Sequence, residues 1–121
     1  MSTNEKFVIR SSMDIMAARM EVRDIARRSG MNLTDQAIIS MSVYVLANAL
    51  GLGKRGVPEG KFQIESCKNG FRYGLKVRCQ QEGPMITQPC LSAFEKLVDH
   101  IDVQSNHPEE QEVILTIWSK S

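Results

Sequence analysis

The feature that most limits what this chain can fold into is the alternation Phe71-Arg72-Tyr73-Gly74-Leu75-Lys76-Val77-Arg78-Cys79. Successive side chains of an extended strand point to opposite faces. Phe71, Tyr73, Leu75, Val77 and Cys79 therefore share one face, and Arg72, Lys76 and Arg78 the other. A strand of this kind belongs to a sheet with one packed face and one exposed, basic face. Residues 61–67 supply a partner strand, and the intervening Asn69-Gly70 is a strong hairpin signal. A sheet that is wet on one side needs a second layer on the other.

Two helices are available for that layer. Ser11-x-x-Asp14 reads as a helix start, with the serine oxygen capping free amides. Ile15, Ala18, Val22 and Ile25 then recur at helical spacing until Gly30, a natural left-handed stop. Arg19, Glu21, Arg23, Arg27 and Arg28 lie mostly off that stripe. The second helix starts at Asn32 or Thr34 and ends near Leu50. Ala37, Ile38, Ile39, Met41, Val43, Val45, Leu46 and Ala49 cover most of its circumference, which predicts a core helix packed on two sides. Residues 6–10 form a short strand with Phe7 and Ile9 on one face. Residues 91–101 carry Leu91, Phe94, Leu97, Val98 and Ile101 at helical spacing and predict a third helix. Residues 102–105 and 111–119 read as the last two strands. The order β-α-α-β-β-α-β-β predicts an α+β chain in one domain over 1–121. It would be a two-layer sandwich, with about three helices on one face of a mixed, mostly antiparallel sheet.

Composition narrows the function. With 15 Lys+Arg against 14 Asp+Glu, the net charge is +1, which removes the bulk electrostatic case for nucleic acid or an anionic membrane. Hydrophobic residues at 42% and charged residues at 24% are ordinary globular values, so wholesale disorder is not expected. No apolar run reaches the roughly 20 residues that span a bilayer. The opening Met1-Ser-Thr-Asn-Glu-Lys has neither the basic region nor the apolar core of a signal peptide. A cytoplasmic location is the expectation. Cys67, Cys79 and Cys90 form no C-x-x-C pair, and His100 and His107 no zinc motif, so no metal site is expected.

Gly51-Leu52-Gly53-Lys54-Arg55-Gly56 matches G-x-G-x-x-G letter for letter. In a dinucleotide fold those glycines follow a strand and open a helix. Here they follow a helix and lead toward a strand, so a helix cap and loop is the better reading. No frame for a nucleophile and no poised carboxylate pair is visible from spacing.

Several local runs resemble the anti-sigma-factor serine/threonine kinases of bacterial partner-switching pathways. That family belongs to the ATPase superfamily shared by gyrase, the Hsp90 chaperone, histidine kinases and MutL. The carriers are Val8-Ile9-Arg10 followed by Asp14-Ile15-Met16-Ala17-Ala18-Arg19, then Leu33-Thr34-Asp35-Gln36-Ala37 and Leu46-Ala47. Glu82-Gly83-Pro84 and Ile114-Leu115-Thr116-Ile117-Trp118 complete the set, so the resemblance runs over residues 7–118. It implies the histidine-kinase-like ATPase fold.

The resemblance also implies a nucleotide site, and the residues at its positions depart from the family pattern. The family places a Glu on the second helix to activate the attacking hydroxyl and, four residues on, an Asn to bind magnesium. Matching on Leu46-Ala47 puts Val45 and Ala49 there; sliding by one puts Tyr44 and Asn48. An apolar Val accepts no proton, and Ala offers no oxygen to a hard cation. The family's Asp-x-Gly-x-Gly loop stands here as Gln81-Glu82-Gly83-Pro84-Met85, with a bulky Met85 where bare backbone is needed. Only Thr87-Gln88-Pro89-Cys90 stands where the family has a long phosphate-covering lid.

The expectation is therefore a degenerate, kinase-like regulator with no catalytic residue, no cofactor and no lid. Tyr44, Val45 and Met85 are expected to fill the old pocket. By the resemblance, its partner would be a STAS-domain antagonist, a sigma factor or a phosphatase. Arg19, Arg23, Arg27, Lys54 and Arg55 are the candidate contacts. The family commonly forms homodimers, although no heptad seam demands one here. One alternative is a diverged serine/threonine kinase using ATP and magnesium, with Glu82 as an unusual base. Another is an unrelated α/β module that binds a small ligand on a parallel, doubly wound sheet.

Overall fold

A computed structural model describes residues 4–82, 92, 94, 96–107 and 110–120. Its elements are β1 (Asn4–Ile9), α1 (Ser12–Arg28), α2 (Leu33–Ala49), β2 (Gly60–Asn69), β3 (Arg72–Glu82), β4 (His100–His107) and β5 (Glu110–Trp118). The strands lie in the order β1-β2-β3-β5-β4, and every neighbouring pair is antiparallel. The expected mixed sheet is thus corrected to an antiparallel one. That pairing also removes the parallel, doubly wound sheet of the small-ligand alternative.

Local chemistry sets the helix ends. Ser11 Oγ accepts from the Asp14 amide at 3.3 Å, and Asp14 Oδ2 accepts from the Ser11 and Arg10 amides at 3.2 and 2.8 Å. This reciprocal cap satisfies amides that an open helix end leaves unpaired. Gly30, at φ +87°, then reverses the chain, and the Met31 amide returns to the Ala26 carbonyl at 3.0 Å. Asn32 Oδ1 caps α2 through the Asp35 amide at 2.8 Å.

The core lies between the helices and one sheet face. The α1 stripe of Ile15, Ala18, Val22 and Ile25 is buried as expected, and it joins Ile39, Val43 and Leu46 of α2. From the sheet come Phe62, Ile64, Leu75, Val77, Cys79, Val113, Leu115 and Ile117. The other face is polar. Of its expected basic residues, Arg78 pairs with both Glu65 and Glu112 and Arg72 stacks over the Trp118 ring, while Gln80 donates to Glu112 at 2.8 Å.

Three further expectations are corrected. The described residues hold two helices. Of the predicted third, Leu91, Ala93 and Glu95 lie outside the described residues; the Leu97 and Val98 amides reach the Phe94 carbonyl in a turn, and His100 and Ile101 belong to β4 rather than to a helix. Phe94 is fully buried, as its place in the apolar periodicity predicts. Second, α2 is not packed on two sides. It buries Asp35, Gln36, Ser40 and Ser42 and exposes Leu33, Met41 and Tyr44. Gln36 and Ser42 find local partners, Gln36 Nε2 donating to the Met31 carbonyl and Ser42 Oγ to the Ile38 carbonyl, while Asp35 Oδ2 accepts from the distant Lys120 amide. Third, Asn69 pairs with Arg72, so Gly70-Phe71 forms the hairpin turn. Glycine at the first central place suits a type II′ turn. Phe71 accordingly leaves the packed face and stands fully exposed.

Gly74 marks the closest approach in the sheet. A Cβ there would sit 2.4 Å from the Ile117 carbonyl oxygen and 3.0 Å from the Trp118 Cα. At Gly70 a Cβ would meet nothing within 4 Å, although φ is +65°. Gly74→Ala is expected to cost about 2–3 kcal/mol by forced backbone movement, and Gly70→Ala about 1 kcal/mol by backbone strain alone. Urea midpoints of the two variants check that order.

Asp99 ties the start of β4 to the end of β5. Burial pushes its carboxyl upward, but the Lys120 ammonium and the Trp118 amide outweigh that and hold it below the usual carboxylate range. A depressed folded value means the unfolded chain binds the proton first as pH falls. The contribution is therefore complete above about pH 4 and is lost as pH drops through the folded value. Asp99→Asn should lower stability at neutral pH and flatten the acid limb of a stability-versus-pH curve.

Candidate functional site

The residues singled out by the sequence fall into two places. The first is the corner where α2 ends, the loop of residues 50–59 begins and β3 finishes. Gln81 sits there, buried, and its Nε2 donates to the carbonyls of Leu50 at 3.1 Å and Pro58 at 3.0 Å. Its Oε1 lies 3.5 Å from Gln111 Nε2. The side chain is thus engaged at both ends by the protein itself. Nearby, Val45 is half-buried against the core and Ala49 half-buried, while Asn48 is exposed. Gly83 and Met85 lie outside the described residues, as do residues 86–91, where the lid was sought.

A cleft of about 210 Å3 opens beside this corner, lined by Pro58, Glu59, Lys61, Gln80, Gln81, Glu82 and Glu110. Glu59 is paired with Arg10 at 2.8 Å. With Glu59 neutralised by Arg10, Glu82 and Glu110 stand beside Lys61, which leaves the cleft without an excess of positive charge for a polyphosphate. Among the described residues no cluster of His, Cys, Asp or Glu is arranged to hold a metal ion. Val45 and Ala49 add no oxygen ligand, whereas Asn48 of the alternative register carries a carboxamide oxygen and stands exposed.

The glycine loop is structural. Gly51, Gly53 and Gly56 all have φ between +69° and +84°, and a Cβ on Gly53 would come within 3.0 Å of the Ser11 backbone. Its Leu52 plugs the core, while Lys54 and Arg55 stand exposed with no carboxylate within ion-pair distance among the described residues.

The second place is the outer face of the helix layer. Arg19 reaches from α1 to α2, where its guanidinium stacks 4.9 Å from the Tyr44 ring centroid and its Nε lies 3.4 Å from Ser40 Oγ. Tyr44 is 42% exposed. Two residues that the sequence assigned to different sites, one to a partner and one to a nucleotide, meet here. Arg23 is exposed with no ion pair among the described residues. Arg27 and Arg28 pair with Asp24.

Sequence reasoning missed Met13, Met16 and Met20, which are 81%, 64% and 70% exposed. Their i, i+3, i+7 spacing was a second apolar stripe on α1, opposite the one that was followed.

No protein-family model matches the chain. Over 80 residues it is 34% identical to the serine/threonine-protein kinase RsbT of Bacillus subtilis (strain 168). The aligned stretch covers 64% of this chain and 56% of that protein, so the chain spans a little over half the length of the curated relative. This similarity is to a protein of the kinase class that the sequence runs resemble. No described helix is long and apolar enough to cross a membrane.

Two outcomes test the corner. Gln81→Ala should cost about 1–3 kcal/mol, because it leaves buried carbonyls without their donor. Burial, with Glu112 adding to it, pushes the Cys79 thiol up to about 12. A Cys67→Ser/Cys90→Ser variant should therefore react with a thiol reagent only after unfolding.

Proposed function

We propose that the chain is a kinase-like regulator of a bacterial partner-switching pathway, one that binds a protein partner without phosphorylating it. The observation that carries this reading is Gln81. The resembling family uses an aspartate at this position to read adenine, whereas here the side-chain amide is spent on the Leu50 and Pro58 carbonyls. A nucleotide there would first have to break a buried contact. Val45 and Ala49 on the adjoining turn of α2 support the same reading, since neither activates a hydroxyl nor holds a cation. The similarity to a serine/threonine-protein kinase supports the pathway assignment. In that pathway the partner is a STAS-domain antagonist, a sigma factor or a phosphatase, met in the cytoplasm.

The same similarity favours a second reading, a diverged but active kinase, because the relative is named as one. Glu82, exposed at the end of β3 beside the cleft, is then the base.

Thermal unfolding with and without millimolar magnesium-ATP separates the two. A ligand at about 100 times its Kd adds roughly 2.7 kcal/mol, which moves the midpoint of a domain this size by several degrees. The expected result is no shift, no phosphate transfer to a STAS-domain protein, and measurable binding of an unphosphorylated partner by calorimetry. Val45→Glu with Ala49→Asn should leave ATP binding absent, because Gln81 remains engaged. A magnesium-dependent shift with phosphate transfer would establish the active kinase instead.

A further inference from the structure

We infer that the outer face of the α1–α2 hairpin is a docking surface for an amphipathic helix whose polar side carries carboxylates. Two apolar rows form it. Met13, Met16 and Met20 share one face of α1, and Leu33, Ala37, Met41 and Tyr44, spaced four, four and three residues apart, share one face of α2. Arg19 bridges the rows through Tyr44 and Ser40, which makes the two faces one surface. Helix-in-groove recognition uses such paired rows, and methionine, unbranched and polarizable, adapts to the knobs of a partner helix.

The charge on this face selects the partner. Most carboxylates of the two helices are already engaged. Asp14 is held in the α1 cap, Asp24 by Arg27 and Arg28, and Asp35 is buried with its Oδ2 on the Lys120 amide. Arg19 and Arg23 have no ion pair among the described residues, and Arg23 follows Met20 by three positions on the same side of α1. Lys54 and Arg55 follow the end of α2 and are likewise without a carboxylate partner among the described residues. Of the carboxylates of the two helices only Glu21 has no such partner among the described residues, against Arg19, Arg23, Lys54 and Arg55, so the unpaired charge is predominantly positive. A second copy of the chain would set like charges against each other across a two-fold axis, whereas an acidic helix would neutralise them. The inference deepens the proposed function and rests on it only in taking a protein as partner. A result with magnesium-ATP bears on that reading and leaves this surface untouched.

Methyl-labelled methionine reports the surface directly. The full chain carries ε-13C-methionine, with each signal assigned by a Met→Leu substitution. It is titrated with a synthetic helical peptide bearing leucine on one face and glutamate on the other. Signals of Met13, Met16, Met20 and Met41 should move saturably, while that of buried Met31 stays fixed. Binding should weaken at least about tenfold for Met16→Glu/Met20→Glu and again for Arg23→Glu, with unchanged melting midpoints, and it should weaken as salt rises. Three results would overturn the proposal. One is unmoved signals. Another is equal affinity for a control peptide with lysine in place of each glutamate, or for anionic phosphatidylglycerol vesicles alone. The last is signals that move with protein concentration as a dimer sediments, which would make the face a self-association surface.

Discussion

Helix α2 is fixed to the sheet at both ends by buried polar contacts, and the rest of the arrangement depends on it. At its first turn Asp35, fully buried, accepts from the Lys120 backbone amide at 2.9 Å. At its last turn the Leu50 carbonyl accepts from Gln81. One contact reaches past the end of β5 and the other reaches β3, neighbours in the sheet. A buried donor or acceptor left without its partner costs about 1–3 kcal/mol, so these contacts fix the helix along its axis more sharply than apolar packing does. Between them Ile39, Val43 and Leu46 need only be apolar and of suitable size.

That fixation explains why the inner face of α2 tolerates so many polar residues, and why apolar ones are left outside. With its ends held by Asp35 and Gln81, the helix cannot roll to bury Met41 and Tyr44. Helix α1, packed beside it through Ile15, Ala18, Val22 and Ile25, is equally constrained to point its methionines outward. Arg19 then lies across the seam, its charge over the Tyr44 ring. The exposed surface is a product of core geometry.

The helix caps, the α1 stripe and the β2–β3 hairpin were legible because each rests on contacts within a few residues. Ser11 with Asp14, Gly30, and Gly70 carry their own instructions, although the turn falls at Gly70-Phe71 rather than at Asn69-Gly70. The β4 start was not legible, since Phe94, Val98 and Ile101 repeat with a period that suits a helix, while the pairing of Ile101 with Leu115 is a long-range choice. The orientation of α2 was hidden for a related reason. A helix rich in apolar residues all round gives no periodic hint of which side is inside, and the answer came from distant partners at Lys120 and Gln81. For the site, the sequence pointed to Gln81 and Arg19 but not to what they touch. Gln81 stands where the resembling family reads adenine, and its amide meets the Leu50 and Pro58 carbonyls of its own chain.

Strand β1 has a different kind of consequence. Asn4–Ile9 pairs with Gly60–Glu65, so the whole helical hairpin and the glycine loop lie inside a loop that this strand closes. The β2–β3 and β4–β5 hairpins can form from neighbouring residues, but β1 must wait for a distant partner, and closing so long a loop carries an entropic cost. Of the four pairings in the sheet, that of β1 therefore spans the longest stretch of chain and carries the largest closure cost.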